Sequence, residues 1–316
     1  MSSPKLSVSA SGFGGRGYAD VFNLNGGKNL PSITTCLSAI DKPQIRNWER
    51  QQQAAFCVTH LEEIAAKEVE VGYRYLMAVP RFLTEAKVDE LDEVSLLTAH
   101  EYALNDAANA GTWLHSYLEA YLSDEFPEDP IRDDHYQMVE AFHKWEADHD
   151  IEVIATERTV YGEKYAGTAD LFAKIDGVVT LVDFKTSRQV HDTHISQLAA
   201  IGAAVTTARE VPEGTPGAVR HKLQPKVAAE YGGQEFAWFV EEPLPDFQQY
   251  AVGRIRPDDW DNYGAYIPAF CEMHILPQKV VDAAYPLFIA GRDVRLAQRA
   301  LRQAEKAVEG ETNADH

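Results

Sequence analysis

Three residues in the stretch GTADLFAKIDGVVTLVDFKTS, residues 167 to 187, have types and spacing that could do chemistry: Asp170, Asp183 and Lys185. Asp176-Gly177 lies between two β-rich runs, and Asp-Gly is a strong signal for a two-residue hairpin turn because both central positions need positive φ. Such a turn sets Ile175 against Val178, Phe172 against Leu181, and Asp170 against Asp183 on one face. Opposed side chains have Cβ atoms roughly 4.5 to 5.5 Å apart, where like charges destabilise the pair. At ~5 Å and an effective dielectric near ~20, two full negative charges repel by about 3 kcal/mol. A retained proton offsets that repulsion, and so does a divalent cation, which prefers hard carboxylate oxygens. Lys185 shares the face of Asp183 by strand periodicity, while Phe184 points to the other face and can enter the core. Two readings stay open at this point. One is a salt-bridged, solvated sheet end in which Lys185 neutralises the aspartates; the other is a metal site with a lysine poised to handle a water molecule.

The chain around these residues must supply a scaffold. At 316 residues, with 45% hydrophobic and 25% charged residues, it has the make-up of a soluble globular protein of one large or two modest domains. No apolar run approaches the roughly 18 residues that span a membrane, and MSSPKLSVSASGFGG has no apolar signal-peptide core, so a cytoplasmic protein with no membrane partner is expected. Cys36, Cys57 and Cys271 are scattered, without the close spacing that holds zinc or an iron-sulfur cluster, and read as free thiols in a reducing compartment. The net charge of -20 excludes a general DNA-coating protein, whose affinity comes from lysines and arginines that displace counterions. It does not exclude an enzyme that holds DNA locally through metal ions and a small basic groove. Acids dominate from Glu119 to Glu163, whereas Gly167 to Lys226 carries seven Lys/Arg against six Asp/Glu, a locally neutralised segment inside an acidic shell.

Residues 1–30, rich in Gly, Ser and Asn, are expected to be a flexible or loosely ordered arm. Helical apolar spacing follows through Ile45, Trp48, Ala55 and Leu61, then in LLTAHEYALNDAANAGTWLHSYLEAYL and HYQMVEAFHKWEADHD. The pattern then alternates through IEVIATERTVYG into the quoted hairpin. After Lys185, ISQLAAIGAAVTTA reads as one Ala-rich helix, followed by strands in EFAWFV and YAVGRI. A helical region begins near Pro277, with Pro286 and Gly291 expected to break it. The order predicts an α/β domain over 31–276 with a helical N-terminal portion, and a C-terminal helical region and tail over 277–316.

The ordered motifs resemble the PD-(D/E)xK nuclease superfamily, in its RecB-like, phage-type exonuclease branch. A G-T-x-x-H helix corresponds to Gly111, Thr112 and His115, a G-x-x-D strand to Gly167 and Asp170, and the D-x-K strand to Asp183, Phe184 and Lys185. The following Q-x-x-x-Y helix corresponds to Gln197, with Ile201 standing at the tyrosine position. LPSITTCL is similar to the P-S-V-T-T-x-L opening of phage-type members. The resemblance covers roughly residues 30 to 205. It implies a restriction-endonuclease-like core, a central mixed sheet flanked by helices, and a Mg²⁺- or Mn²⁺-dependent DNA exonuclease of phage or bacterial recombination, replication or repair. It also implies linear DNA, single- or double-stranded, as substrate, together with a homo-oligomer and a recombination or single-strand-binding partner.

Site roles follow from the same resemblance combined with the chemistry. His115, Asp170, Asp183 and the backbone carbonyl of Phe184 would hold one or two ions, the histidine making Mn²⁺ a good activator. Lys185 would orient a water and help with its deprotonation, and Gln197 would position Lys185 or a phosphate oxygen. Glu119, one turn from His115, and Glu157, on the preceding strand, are further acids that could reach the metal or remain solvated. His191 and His194 form an H-x-x-H pair that could contact DNA or lie exposed. Arg188, Arg220, Lys222 and Lys226 could line a phosphate groove or be scattered surface charge. No iron-sulfur cluster is expected. The alternative function is a catalytically silent nuclease-fold module that binds DNA ends or a recombination partner.

Overall fold

The computed structural model describes residues 4–8, 15–40, 43–59, 99–260 and 264–314. The chain divides into two compact units, one of Met1–Ile40 with Trp113–His316 and one of Asp41–Thr112. The first unit opens with a small antiparallel sheet of β1 (Ser7–Val8), β2 (Gly17–Tyr18) and β3 (Leu30–Pro31), then helix α1 (Ile33–Leu37). Residues 1–30 are expected as a loose arm; of their described part, Leu6, Tyr18 and Leu30 are packed, while most of residues 23–29 is exposed. Leu6, Tyr18 and Leu30 are buried in a cluster with Tyr161, Ala166 and Phe239, because the Gly- and Asn-rich composition hides three large apolar side chains spaced to reach one core. Ser32 caps α1, its Oγ accepting the Thr35 N–H at 2.9 Å.

The second unit contains, among its described residues, α2 (Pro43–Thr59) and the beginning of α3 (Ala99–Leu122). Leu61, expected on the helical stripe, lies outside the described residues. The boundary at Thr112 and Trp113 falls inside α3, so Gly111 and Thr112 of the G-T-x-x-H pattern belong to the second unit and His115 to the first. The remainder of α3 is pinned to α4 (Asp133–Glu146): Tyr121 Oη donates to Glu146 Oε2 at 2.9 Å, and Tyr117 Oη and His143 Nε2 lie 3.1 Å apart.

The long strands are β4 (Ile151–Gly162), β5 (Tyr165–Ile175) and β6 (Val178–Lys185), followed by α5 (Asp192–Gly202). Then come β7 (Thr206–Val211), β8 (Val219–Lys222), α6 (Pro225–Glu230), β9 (Phe236–Glu242) and β10 (Gln249–Arg256). A short ribbon, β11 (Asp259–Trp260) with β12 (Tyr266–Ile267), precedes β13 (Phe270–Leu276) and α7 (Gln278–Ala314). Among the described residues eight strands form one sheet in the order β13-β10-β6-β5-β4-β7-β9-β8. Every neighbouring pair is antiparallel except β6 and β10, so the sheet is mixed. The protein is thus α/β, with a large mixed central sheet flanked by helices. Helix α4 packs on β10 and β13, while α5 packs on β6 and is covered by α1 and α7.

The hairpin turn has φ of 49° at Asp176 and 87° at Gly177, and its register pairs Ile175 with Val178 and Phe172 with Leu181. Elsewhere the sequence pattern under-counts strands. The run ISQLAAIGAAVTTA is not one helix: α5 stops at Gly202, where a Cβ would meet the Tyr250 hydroxyl at 2.4 Å and its ring at 2.6 Å, and the β-branched Thr206 and Thr207 begin β7. Pro286 and Gly291 do not break α7. Pro286 faces solvent, and the lost main-chain hydrogen bond is outweighed by burial of Val281 and Phe288 on either side. Gly291 lets α7 approach α1, since a Cβ there would sit 2.7 Å from the Cys36 carbonyl oxygen. No helix among the described residues is long and apolar enough to cross a membrane.

Candidate metal centre

Register places three acids level with one another on neighbouring strands. The β4–β5 pairs Thr156 with Leu171 and Arg158 with Ala169 bracket Glu157 and Asp170, and the β5–β6 ladder, ending at Leu171 with Val182, sets Asp170 level with Asp183. Glu157 stands in this row with a φ of 42°, inside an otherwise extended strand. A non-glycine residue in that region costs of order 1–3 kcal/mol and persists where its surroundings enforce it. From α3, His115 brings Nδ1 to 3.4 Å from Asp170 Oδ2. One ligand atom each of His115, Glu157 and Asp170 lies within 4.8 Å of the others.

The remaining expected residues lie next to this cluster, and Asp183, expected as a ligand, is not among its three members. Asp170 Oδ2 accepts the Phe184 N–H at 2.8 Å. Asp183 is fully buried; Gln197 Nε2 donates to its Oδ1 at 2.8 Å, and Lys185 Nζ stands 2.5 Å from its Oδ2. Lys185 Nζ also donates to the Phe184 carbonyl at 3.1 Å. Gln197, expected to position Lys185 or a phosphate oxygen, touches Asp183, which in turn holds Lys185 together with its own strand. Phe184 is the anchor on the opposite face. Its ring is 2% exposed, meets Phe142 edge-on at 6.4 Å, and lies over Gly253, where a Cβ would come within 2.6 Å of it. A second glycine serves the site: a Cβ on Gly167 would fall 2.3 Å from Ile33 Cδ1, so the G-x-x-D glycine accommodates the isoleucine of LPSITT.

Burial dominates the electrostatics. It raises Asp183 to about 6, with Lys185 opposing and Asp170 adding to the rise. Burial also raises Asp170, against the pull of Lys185 and the Phe184 N–H. Glu157 is pushed well above the usual carboxylate range by burial, then by Asp170 and Glu119. His115 is pushed down to about 4 by burial and the Lys185 ammonium, which keeps its ring neutral and able to donate a lone pair at neutral pH. For Lys185 burial pulls downward, but Asp183 and Asp170 outweigh it and hold the ammonium above its ordinary value. One ammonium, with the Arg16 guanidinium also acting on Glu157 and Asp170, thus faces three desolvated carboxylates. That excess of hard anionic oxygens, with one neutral imidazole beside them, fits Mg²⁺ or Mn²⁺. A cavity of about 560 Å³ lined by Glu119, Glu157, Arg158 and Arg209 opens beside the row. A larger one, about 670 Å³, lies at the β8–β9 edge away from these acids, with Arg220 in its wall.

Other candidates lie elsewhere. The His191–His194 pair caps α5, the His191 N–H donating to His194 Nδ1 at 3.2 Å. Arg220 and Lys222 are on β8, the outer edge strand three places beyond β4, and Lys226 is on α6. Arg220 stacks on Phe236 at 3.6 Å. These three therefore do not form one groove with Arg188, which pairs with Asp259. Two arginines were not anticipated. Parallel pairing sets Arg254 level with Lys185, and Arg256 donates to the Thr186 carbonyl at 2.8 Å. Their alternate spacing in GRIR was visible in YAVGRIRP, but the parallel pairing of β10 with β6 spans a long sequence separation and leaves no local trace.

No family model matches the chain, and no curated protein matches it at a significant level.

Proposed function

We propose that this chain is a metal-dependent deoxyribonuclease that hydrolyses phosphodiester bonds, built on a restriction-endonuclease-like core and acting as an exonuclease on linear DNA. The observation that carries this reading is the level row of Glu157, Asp170 and Asp183, with His115 at one side and Lys185 fixed on Asp183. His115, Glu157 and Asp170 would hold the ion, with Asp183 and the Phe184 carbonyl beside them. When bound, Mg²⁺ or Mn²⁺ supplies a lowered pKa for water and charge stabilisation at the scissile phosphate.

The chain's own residues do the rest. Lys185, kept as an ammonium by Asp183 and Asp170, offers N–H donors to a water or to a non-bridging phosphate oxygen. Gln197 fixes the Asp183 carboxylate so that Lys185 returns to one position. His115 stays neutral and presents a ring nitrogen rather than a second cation. An acidic protein thereby meets a polyanion at a place where a bound ion reverses the local sign.

Incubating the purified protein with linear and circular DNA in Mg²⁺, Mn²⁺ or EDTA tests the reading. Loss of linear DNA only in the presence of metal is expected. Inertness toward every DNA form in both metals, or a Lys185→Ala variant as active as its parent, would sink it.

A further inference from the structure

Two large aromatic side chains stand in water beside the Lys185 end of the sheet. Trp260 and Tyr266 are register partners in the β11–β12 ribbon, 61% and 55% exposed, with ring centroids 5.4 Å apart. The ribbon is not a free flap. Asp259 Oδ2 accepts from Arg256 at 2.7 Å, Asp259 Oδ1 accepts from Arg188 at 2.9 Å, and the Asp258 N–H donates to Gln137 on α4 at 2.9 Å. Arg256 in turn donates to the Thr186 carbonyl, the residue after Lys185. A continuous chain of hydrogen bonds thus runs from the end of β6 to the base of the ribbon.

We propose that Trp260 and Tyr266 form a stacking platform for the bases of an unpaired DNA strand at the nuclease site, with the exposed Arg188 guanidinium at its edge. This rests on the nuclease reading for the position of the strand and adds how the strand is held. Charge selects the occupant. The arginines here are largely matched: Arg188 and Arg256 share Asp259, and Arg254 pairs with Glu272 at 2.7 Å. A chain of net charge -20 has little counterion release to gain from a duplex backbone. Base stacking on aromatic faces adds affinity that needs no cation and tolerates any sequence, and every unpaired base offers a face for it.

The test measures binding of a fluorescein-labelled single strand of about a dozen thymidines, within the span that stacking grooves cover. Binding is read by anisotropy in Mn²⁺ in a Lys185→Ala background, beside cleavage by the otherwise unaltered protein. Trp260→Ala and Tyr266→Ala are each expected to raise the dissociation constant about tenfold, the loss of one stacked base. Trp260→Phe should restore most of it, and melting temperatures should not move. Phe126→Ala, at an exposed aromatic in the segment after α3, should leave binding as it was. Unchanged binding in Trp260→Ala, equal losses in Trp260→Phe and Trp260→Ala, or an equal loss in Phe126→Ala overturns the platform. DNA cleavage that persists alongside such a result leaves the nuclease reading standing. Failure of the unaltered protein to cleave DNA, with the Trp260→Ala binding loss intact, removes the nuclease reading and keeps the platform.

Discussion

The main-chain N–H of Phe184 donates to Asp170 Oδ2 at 2.8 Å, joining the carboxylate of one hairpin strand to the backbone of the other where their ladder ends. The same oxygen faces His115 Nδ1 at 3.4 Å, so the orientation of Asp170 is fixed from two sides by the protein alone. Asp170→Asn keeps an acceptor for Phe184 and should retain the fold, its stability in EDTA within about 1 kcal/mol of the parent. Asp170→Ala leaves that N–H without its acceptor and should lose about 1–3 kcal/mol. Both should abolish the rise in melting temperature on adding Mn²⁺. In the parent, metal at about a hundredfold over its dissociation constant adds about 2.7 kcal/mol. Urea denaturation in EDTA and thermal melts with and without Mn²⁺ measure the two effects separately.

Among the described residues, Lys185 is the one Lys or Arg in direct contact with the fully buried Asp183. Removing one partner of a buried ion pair costs about 3–5 kcal/mol when the other charge stays desolvated, although protonation of Asp183 would relieve part of it. Lys185→Ala should therefore lower stability most at pH 8 and least near pH 5, and should reduce DNA cleavage about 10²- to 10⁴-fold. Lys185→Arg keeps the charge and should recover stability without recovering rate, because a planar guanidinium cannot replace the compact ammonium. Denaturation across pH and single-turnover cleavage separate these contributions.

Much of this site can be read along the chain. The Asp-Gly turn fixes the hairpin register, the register opposes Asp170 and Asp183, and strand periodicity turns Lys185 toward them and Phe184 away. Those are local relations, set by spacing within twenty residues. Glu157 could be located only as an acid on the neighbouring strand; a bulge between Val153 and Ala155 decides that it comes level with Asp170. Arg254 and Arg256 depend on a parallel pairing across a long crossover, and no local pattern encodes it. Three further strands left weak local traces: β7 follows the Ala-rich end of α5 so closely that the run suits a helix equally well, β8 has only four residues, and most side chains of β13 are half-buried or exposed. Residues 1–30 misled because composition suggested looseness, whereas burial of Leu6, Tyr18 and Leu30 is determined by shape.

Glu157 should make the metal-free protein less stable and the metal-loaded protein more stable. Its folded-state pKa is raised by burial, Asp170 and Glu119. The stability it contributes is therefore present below its unfolded value of about 4.3 and is lost as pH rises through the folded value. Glu157→Gln removes that titration, so in EDTA the variant should exceed the parent at pH 8, with the gap closing on acidification. His115, held down to about 4, behaves oppositely: its contribution is present above about 6.5 and lost as pH falls, but equally in both proteins, so it cancels in the difference. Adding Mn²⁺ should reverse the order at pH 8, because only the parent presents the full ligand set. That metal response should fade on acidification, as the raised Glu157 and Asp170 carboxylates take up protons. Urea titrations of both proteins from pH 5 to 8, with EDTA or Mn²⁺, give the crossing or its absence.

The contact between Gly167 and Ile33 links the opening helix to the strand that carries Asp170. A Cβ on Gly167 would lie 2.3 Å from Ile33 Cδ1 and 2.9 Å from its Cγ1, closer than real carbon contacts allow. Ile33 is 2% exposed and packed in the main core, so it has little room to retreat. Overpacking of this kind costs about 1–3 kcal/mol, and the strain falls three residues from Asp170. Gly167→Ala should therefore lose stability in that range and lower cleavage more than binding of metal. Ile33→Ala alone should also destabilise, by leaving a cavity of several methyl groups. Combined with Gly167→Ala it should cost less than the sum of the two single losses, because the new methyl occupies part of that cavity. A double-mutant cycle in urea reads the coupling directly, and additive losses would show that the two side chains do not compete for one space.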